Sequence, residues 1–231
     1  MRRPIVILNN GQDALFRFDW ENVITPVVDY VRSRPDGDPA RIALSGSSLG
    51  GKLVIRAAAF EHRLAAVVAD PGHLSLWLSW QASFPPIAAL FASKASRQEI
   101  NAIWQSQIVP HFNAVDRYEV AKTSEGYGKQ FLRSARARRV FTDLYDFGMT
   151  VMKFTVADVA ARVTAPTLVN AYQQDQLVVP GAKQGPEVYR LLRTDKQFHE
   201  FTAAEGAQFH CAPMAPQTRN QVVYDWLDGI L

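Results

Sequence analysis

Arg41-Ile42-Ala43-Leu44-Ser45-Gly46-Ser47-Ser48-Leu49-Gly50-Gly51 is the stretch whose reading decides the fold. The short apolar run 42–44 reads as a strand and 52–60 as a helix, so Gly46–Gly50 is a sharp strand-to-helix turn. At its centre lies Gly46-x-Ser48-x-Gly50. Glycines here let the two arms pass closely and leave the Ser48 hydroxyl exposed above a sheet. The amide of Leu49, at the helix start, then points at any oxyanion formed beside that hydroxyl. The bland alternative is a glycine-rich helix start that binds phosphate or nothing. A base and an acid elsewhere in the chain decide between the two.

Outward from this turn, the chain alternates strand and helix. Residues 5–8 form an apolar run suited to a parallel sheet, followed by turn residues 9–13. Residues 19–34 carry Val23, Ile24, Val27, Val28 and Val31 at helical spacing, with Asp19 as N-cap and Pro26 as a kink. Residues 64–69 are the next strand, stopped by Asp70-Pro71-Gly72. From 73 to 163 the pattern is helical, without a convincing strand, and its first part is dense in Trp77, Trp80, Phe84, Phe91 and Trp104. That is too long for a loop and reads as a helical cap insertion. Strands at 166–171 and 197–202, a helix at 182–192, a loop at 203–216 and a closing helix at 217–231 complete the chain. The expected class is α/β: a doubly wound, mainly parallel sheet in a single domain, 1–231, with the cap within it.

Composition narrows the function. At 231 residues, 48% hydrophobic and 20% charged, the chain can bury a sizeable core. No apolar run reaches about 18 residues, so no membrane span or membrane partner is expected. Arg2-Arg3 precede an apolar run that breaks at Asn9-Asn10-Gly11, which reads as a strand and not a signal peptide. The single cysteine, Cys211, excludes an intramolecular disulfide and fits a reducing cytoplasm, the expected location. Net charge is +3, and the cluster Arg133, Arg136, Arg138 and Arg139 reads as a solvated helix face, so no nucleic-acid partner is expected. There is no His-x-x-x-His, no clustered carboxylate set and no Gly-x-Gly-x-x-Gly after the first strand, so neither metal nor cofactor is expected.

A serine hydroxyl becomes a useful nucleophile when a histidine takes its proton and a carboxylate orients that histidine. In a doubly wound sheet such groups gather beyond the carboxyl ends of the strands. His210 lies in the loop after the last strand and is the expected base. His73, just past a strand end, is the second choice. His199 lies within a strand, His62 at the far end of the helix after the nucleophile, and His111 in the insert. Asp175, past strand 166–171, is the expected acid because it completes the order Ser, Asp, His. Asp70 is its rival, and Glu205 is a carboxylate that could support His210 or simply cap a turn. The oxyanion donors are the Leu49 amide and the turn at Gly11 and Gln12.

With these residues placed, the chain resembles the α/β-hydrolase superfamily, in the branch of dipeptidyl aminopeptidase and acylaminoacyl-peptidase-like hydrolases that includes the dihydroxypseudooxynicotine hydrolases. The segments that carry the resemblance are 4–11, 38–51, Ala69-Asp70-Pro71-Gly72 and Glu205-Gly206-Ala207-Gln208-Phe209-His210-Cys211. The resemblance implies Ser48 as nucleophile, Asp175 as acid and His210 as base. It also implies a cap over the site, and hydrolysis of an ester, amide or activated C–C bond in a small-molecule or acyl-peptide substrate. Such hydrolases usually have a helical region and further strands before the one beginning at Pro4, and a strand–helix pair where this chain has only 12–18. The shortened N-terminal half exposes a Val/Ile-rich edge, which predicts a homodimer or aggregation through it. It also supports the competing reading, an impaired or non-catalytic hydrolase-like protein. The leading expectation is a cofactor-free serine hydrolase of carboxylesterase type, its aromatic insert lining a hydrophobic acyl or aryl pocket.

Overall fold

Ala66–Asp70 is buried along its whole length, as a strand covered on both faces must be. It is β2 of a parallel four-stranded sheet with the order β1-β2-β3-β4, in which β1 is Ala43–Ser47, β3 Thr167–Tyr172 and β4 Lys196–Phe201. The computed structural model describes residues 15–178 and 183–231. The strand expected at 5–8 and the turn at Gly11 and Gln12 lie outside the described residues. The ten described α-helices are α1 (Glu21–Ser33), α2 (Leu49–Ala58), α3 (Leu76–Ser83), α4 (Pro85–Ala92), α5 (Arg97–Ile103), α6 (Ala114–Ser124), α7 (Lys129–Arg136), α8 (Leu144–Met152), α9 (Gln184–Leu191) and α10 (Pro216–Ile230).

The chain forms two compact units. The first comprises Phe18–Ser79 and Thr155–Leu231 and contains the sheet. Strand alternation sorts its helices onto two faces. Ala66, Val68 and Leu168 pack against Val223, Trp226 and Leu227 of α10. Ala171, of opposite parity, faces Gly185 of α9. The sheet is therefore doubly wound, as expected. Helix α2 packs on β1 and β2, and α1 on α2, where Arg56 holds Glu21 through a 2.6 Å ion pair. Ile24 and Val28 form the buried stripe of α1. Asp19 is not its N-cap. Buried Trp20 takes that place in a helical conformation with no side-chain cap, and Asp19 instead accepts from the Asn22 side chain at 2.9 Å.

The second unit comprises residues 15–17 and Trp80–Phe154 and has no strand among its described residues. Side-chain caps start three of its described helices. Ser96 and Glu99 form a capping box on α5, Asn113 and Asp116 one on α6, and the Asp143 side chain caps α8. Asp143 also accepts from Asn101 at 2.9 Å and pairs with Arg97, which ties α5 to α8. The aromatic residues pack on one another. Phe147 lies between Trp80 at 4.9 Å, Phe131 at 5.2 Å and Phe141 at 4.6 Å, centroid to centroid. Phe147→Ala removes a ring that is 2% exposed, and should cost about 3–5 kcal/mol in a urea melt. A loss below about 1 kcal/mol would show that this cluster does not hold the unit together. Arg133, Arg136, Arg138 and Arg139 are all solvent-exposed on α7 and the turn after it.

Candidate active site

The register of β1 and β2 sets Ser47 beside Asp70. One residue on, the Ser48 amide donates to the Asp70 carbonyl at 2.7 Å, which pins the turn to the end of the neighbouring strand. Ser48 sits at φ 59°, ψ −125°, a conformation an L-residue holds only when its surroundings impose it. Leu49 is the first residue of α2, so its N–H has no acceptor within the helix.

Sterics at this turn refine the role of the glycines. A Cβ on Gly46 would lie 2.1 Å from the Gly50 carbonyl oxygen. A Cβ on Gly51 would lie 2.0 Å from the carbonyl oxygen of Pro71. A Cβ on Gly50 would meet nothing within 4 Å. The close approach at the helix start therefore belongs to Gly51, one residue beyond the motif.

The loops after β3 and β4 bring up the partners. The Gln173 amide donates to the Phe201 carbonyl at 3.0 Å and the Gln174 amide to the Gln208 carbonyl at 2.8 Å, so the two loops are stitched together. Asp175, 2% exposed, follows directly. Its Oδ1 accepts from the amides of Leu177 at 2.9 Å and Val178 at 2.8 Å, an Asx-type turn that fixes the carboxylate. His210 Nδ1 lies 3.0 Å from Oδ1 and 2.9 Å from Oδ2. His210 Nε2 lies 2.8 Å from Ser48 Oγ. A carboxylate only accepts, so in the neutral ring the proton belongs on Nδ1 and leaves Nε2 to accept from the serine hydroxyl. Burial of the imidazole lowers its pKa, but the Asp175 carboxylate and the Cys211 sulfur outweigh it and raise the group to about 10.

The remaining candidates lie elsewhere. His73 is 3% exposed, with Nε2 3.2 Å from both the Ser75 carbonyl and Ser79 Oγ. Burial, then the nearby charge of Lys52, lowers it to about 3. Lys52 is itself 1% exposed, and burial pushes its ammonium well below the usual lysine range. His62 Nε2 is at the Ala59 carbonyl, 3.2 Å away. His111 is exposed. His199 packs on Phe201 at 4.3 Å. Glu205 does not support His210. It closes a capping box with Thr202 and faces His199 at 3.4 Å. Asp70 is held by Asn170 at 3.1 Å and by the Tyr172 hydroxyl, on the face of α10. Asn170 and Tyr172 escaped the sequence reading, although residues two apart at the end of a strand share a face. Leu49 is the first residue of α2, and Gly11 and Gln12 lie outside the described residues.

Residues 7–108, less than half of the chain, match the family model of acetyl xylan esterase. A stretch of 77 residues is 43% identical to "Hydrolase ORFZ" of Pyricularia oryzae and covers 31% of this chain but only 18% of that protein. Two solved structures are similar in fold. The 2,6-dihydroxy-pseudo-oxynicotine hydrolase matches at a TM-score of 0.54 and 16% identity, over 96% of this chain and 49% of that one. The α/β hydrolase GrgF from Penicillium sp. sh18 matches at 0.54 and 15%, over 91% and 71%. The chain thus spans about half the length of the first of these structures and matches less than a fifth of the curated relative.

Proposed function

We propose that this chain, which has the α/β-hydrolase fold, is a serine hydrolase that cleaves a carboxylic ester through an acyl-enzyme on Ser48. The observation that carries the reading is the continuous relay from Ser48 Oγ to His210 Nε2 at 2.8 Å and from His210 Nδ1 to Asp175 Oδ2 at 2.9 Å. In this reading His210 takes the Oγ proton as Ser48 attacks the acyl carbonyl. The Leu49 amide donates to the oxyanion that forms, together with the Gly11–Gln12 turn. His210 then gives its proton to the departing alkoxide. Water, deprotonated by the same nitrogen, releases the acid and restores Ser48. An ester is favoured over an amide by the acetyl xylan esterase match, which reaches across the nucleophile turn.

Labelling with a fluorophosphonate tests this reading. Folded wild-type protein should label, and Ser48→Ala should not. Wild-type protein that stays unlabelled would sink the enzyme reading and favour the impaired, non-catalytic one. Labelling that survives Ser48→Ala would move the nucleophile, with Ser47 the first suspect. Turnover of a p-nitrophenyl ester but not of the matching anilide would separate esterase from amidase.

A further inference from the structure

His210 is followed by two non-glycine residues in the left-handed region, Cys211 at φ 59° and Ala212 at φ 47°. L side chains disfavour this region, so such a turn persists only where its surroundings over-determine it. Its restraints converge on Cys211. From α10, Arg219 Nη1 donates to the Cys211 carbonyl at 3.0 Å. Ser47 Oγ lies 3.4 Å from Cys211 Sγ, and Sγ lies 3.7 Å from the Asp70 carbonyl, the oxygen that also receives the Ser48 amide. Arg219 is itself oriented. Its Nε and Nη2 lie 3.1 and 2.9 Å from Asn220 Oδ1, and Nε lies 3.8 Å from Asp70 Oδ2.

Two features set Arg219 apart from an ordinary surface arginine. It stands in the first turn of α10, where a cation opposes the helix dipole, so its position is unfavourable for the helix alone. It also reaches inward to a carboxylate whose side chain is only 6% exposed. Asp70 thereby serves both halves of the site: its carbonyl holds the nucleophile turn, and its carboxylate faces the arginine that holds the histidine turn.

We propose that Arg219 is a positioning residue whose guanidinium, set between the Cys211 carbonyl and the Asp70 carboxylate, fixes the strained turn that keeps His210 within hydrogen-bond reach of Ser48. The proposal rests on the hydrolase reading of the site. A planar fork can address a carbonyl and a carboxylate at once, which a lysine ammonium on a flexible stem does less well. A displacement of about 1 Å at a catalytic group is enough to slow chemistry by about a hundredfold.

The test compares Arg219→Gln, Arg219→Lys and, as a control, Arg190→Gln, which removes only an exposed pair with Glu187. Two readouts are used: the rate of fluorophosphonate labelling at Ser48, and hydrogen exchange at the Ala212 and Ala215 amides, which bond within the turn. Arg219→Gln should label about 10- to 100-fold more slowly and exchange faster at both amides. In ester turnover that loss should fall on kcat with KM little changed. Arg219→Lys should lie between the glutamine variant and wild type, and Arg190→Gln should match wild type. Labelling of Arg219→Gln at the wild-type rate overturns the proposal. If Arg219→Gln does not fold, a folded Arg219→Lys that labels as fast as wild type overturns it. Wild-type protein that never labels sinks the hydrolase reading instead, and exchange at Ala212 and Ala215 then decides whether Arg219 holds the turn.

Discussion

On the proposed hydrolase reading, Asp175→Asn should lower kcat for ester hydrolysis roughly 10⁴-fold while the protein stays folded. The amide oxygen of asparagine can still accept from the Leu177 and Val178 amides, as Asp175 Oδ1 does at 2.9 and 2.8 Å, so the turn survives. The amide nitrogen takes the place of Oδ2, 2.9 Å from His210 Nδ1. A donor then faces a donor. The imidazole relieves the conflict by moving its proton to Nε2, and Nε2 can no longer accept from Ser48. Circular dichroism and a melting curve close to wild type would accompany the loss. A folded variant within about tenfold of wild type would show that Asp175 does not orient the base.

The same pair sets the pH response. The imidazole of His210 is raised above its ordinary value, to about 10, because the carboxylate and the Cys211 sulfur outweigh burial. The general-base role proposed for His210 needs the neutral ring. The acid limb of kcat/KM should therefore lie above pH 6.5, the ordinary histidine value. Stability runs the other way. A pKa raised in the folded state contributes stability that is full below pH 6.5 and is lost as pH rises towards 10. His210→Gln should flatten that part of the melting-temperature profile. An acid limb at or below pH 6 in the wild type would contradict the carboxylate's influence on the ring.

The centre of the sheet was legible because β2 and β3 are buried on both faces, whereas β1 and β4 are partly exposed. Runs such as Ala66-Val67-Val68-Ala69 carry no polar residue and end in turn chemistry, so the parallel β–α alternation could be read directly. Ser48, Asp175 and His210 were legible for a related reason. Each follows a strand end, and in a parallel sheet those ends lie side by side. What escaped was set by side-chain direction and by long-range contacts. From the sequence, Asp70 and Asp175 both read as residues just past a strand. The difference between them is that Asp70 remains in the strand, facing α10, whereas Asp175 has left β3 and is turned by two amides. Glu205 is close to His210 in sequence, yet its capping bond to Thr202 turns it towards His199. The role proposed for Arg219 carries no local signal, because the Cys211 carbonyl and the Asp70 carboxylate lie 8 and 149 residues away in sequence. The steric requirement at Gly51 comes from Pro71, on another strand end, and no local pattern reveals it.

That requirement makes the turn at Ser48 sensitive to small-to-large substitution. Gly51→Ala places a Cβ 2.0 Å from the Pro71 carbonyl oxygen and 3.0 Å from the Asp70 amide nitrogen, both of them backbone. Neither atom belongs to a flexible side chain that could swing aside, so the start of α2 and the end of β2 must separate. Separation also strains the 2.7 Å bond from the Ser48 amide to the Asp70 carbonyl, which anchors the turn. We expect a loss of about 3 kcal/mol or more, at the upper end of overpacking costs. In a chain of this size that lowers the melting temperature by roughly 6–12 °C. Gly50→Ala is the internal comparison. Its Cβ meets nothing within 4 Å, and the substitution trades glycine's backbone freedom for a better helix former. It should be neutral or stabilise by up to about 1 kcal/mol. Equal melting of all three proteins would remove the close approach as the reason for glycine at 51. If Gly50→Ala is as damaging as Gly51→Ala, the constraint lies in backbone conformation and not in the contact with Pro71.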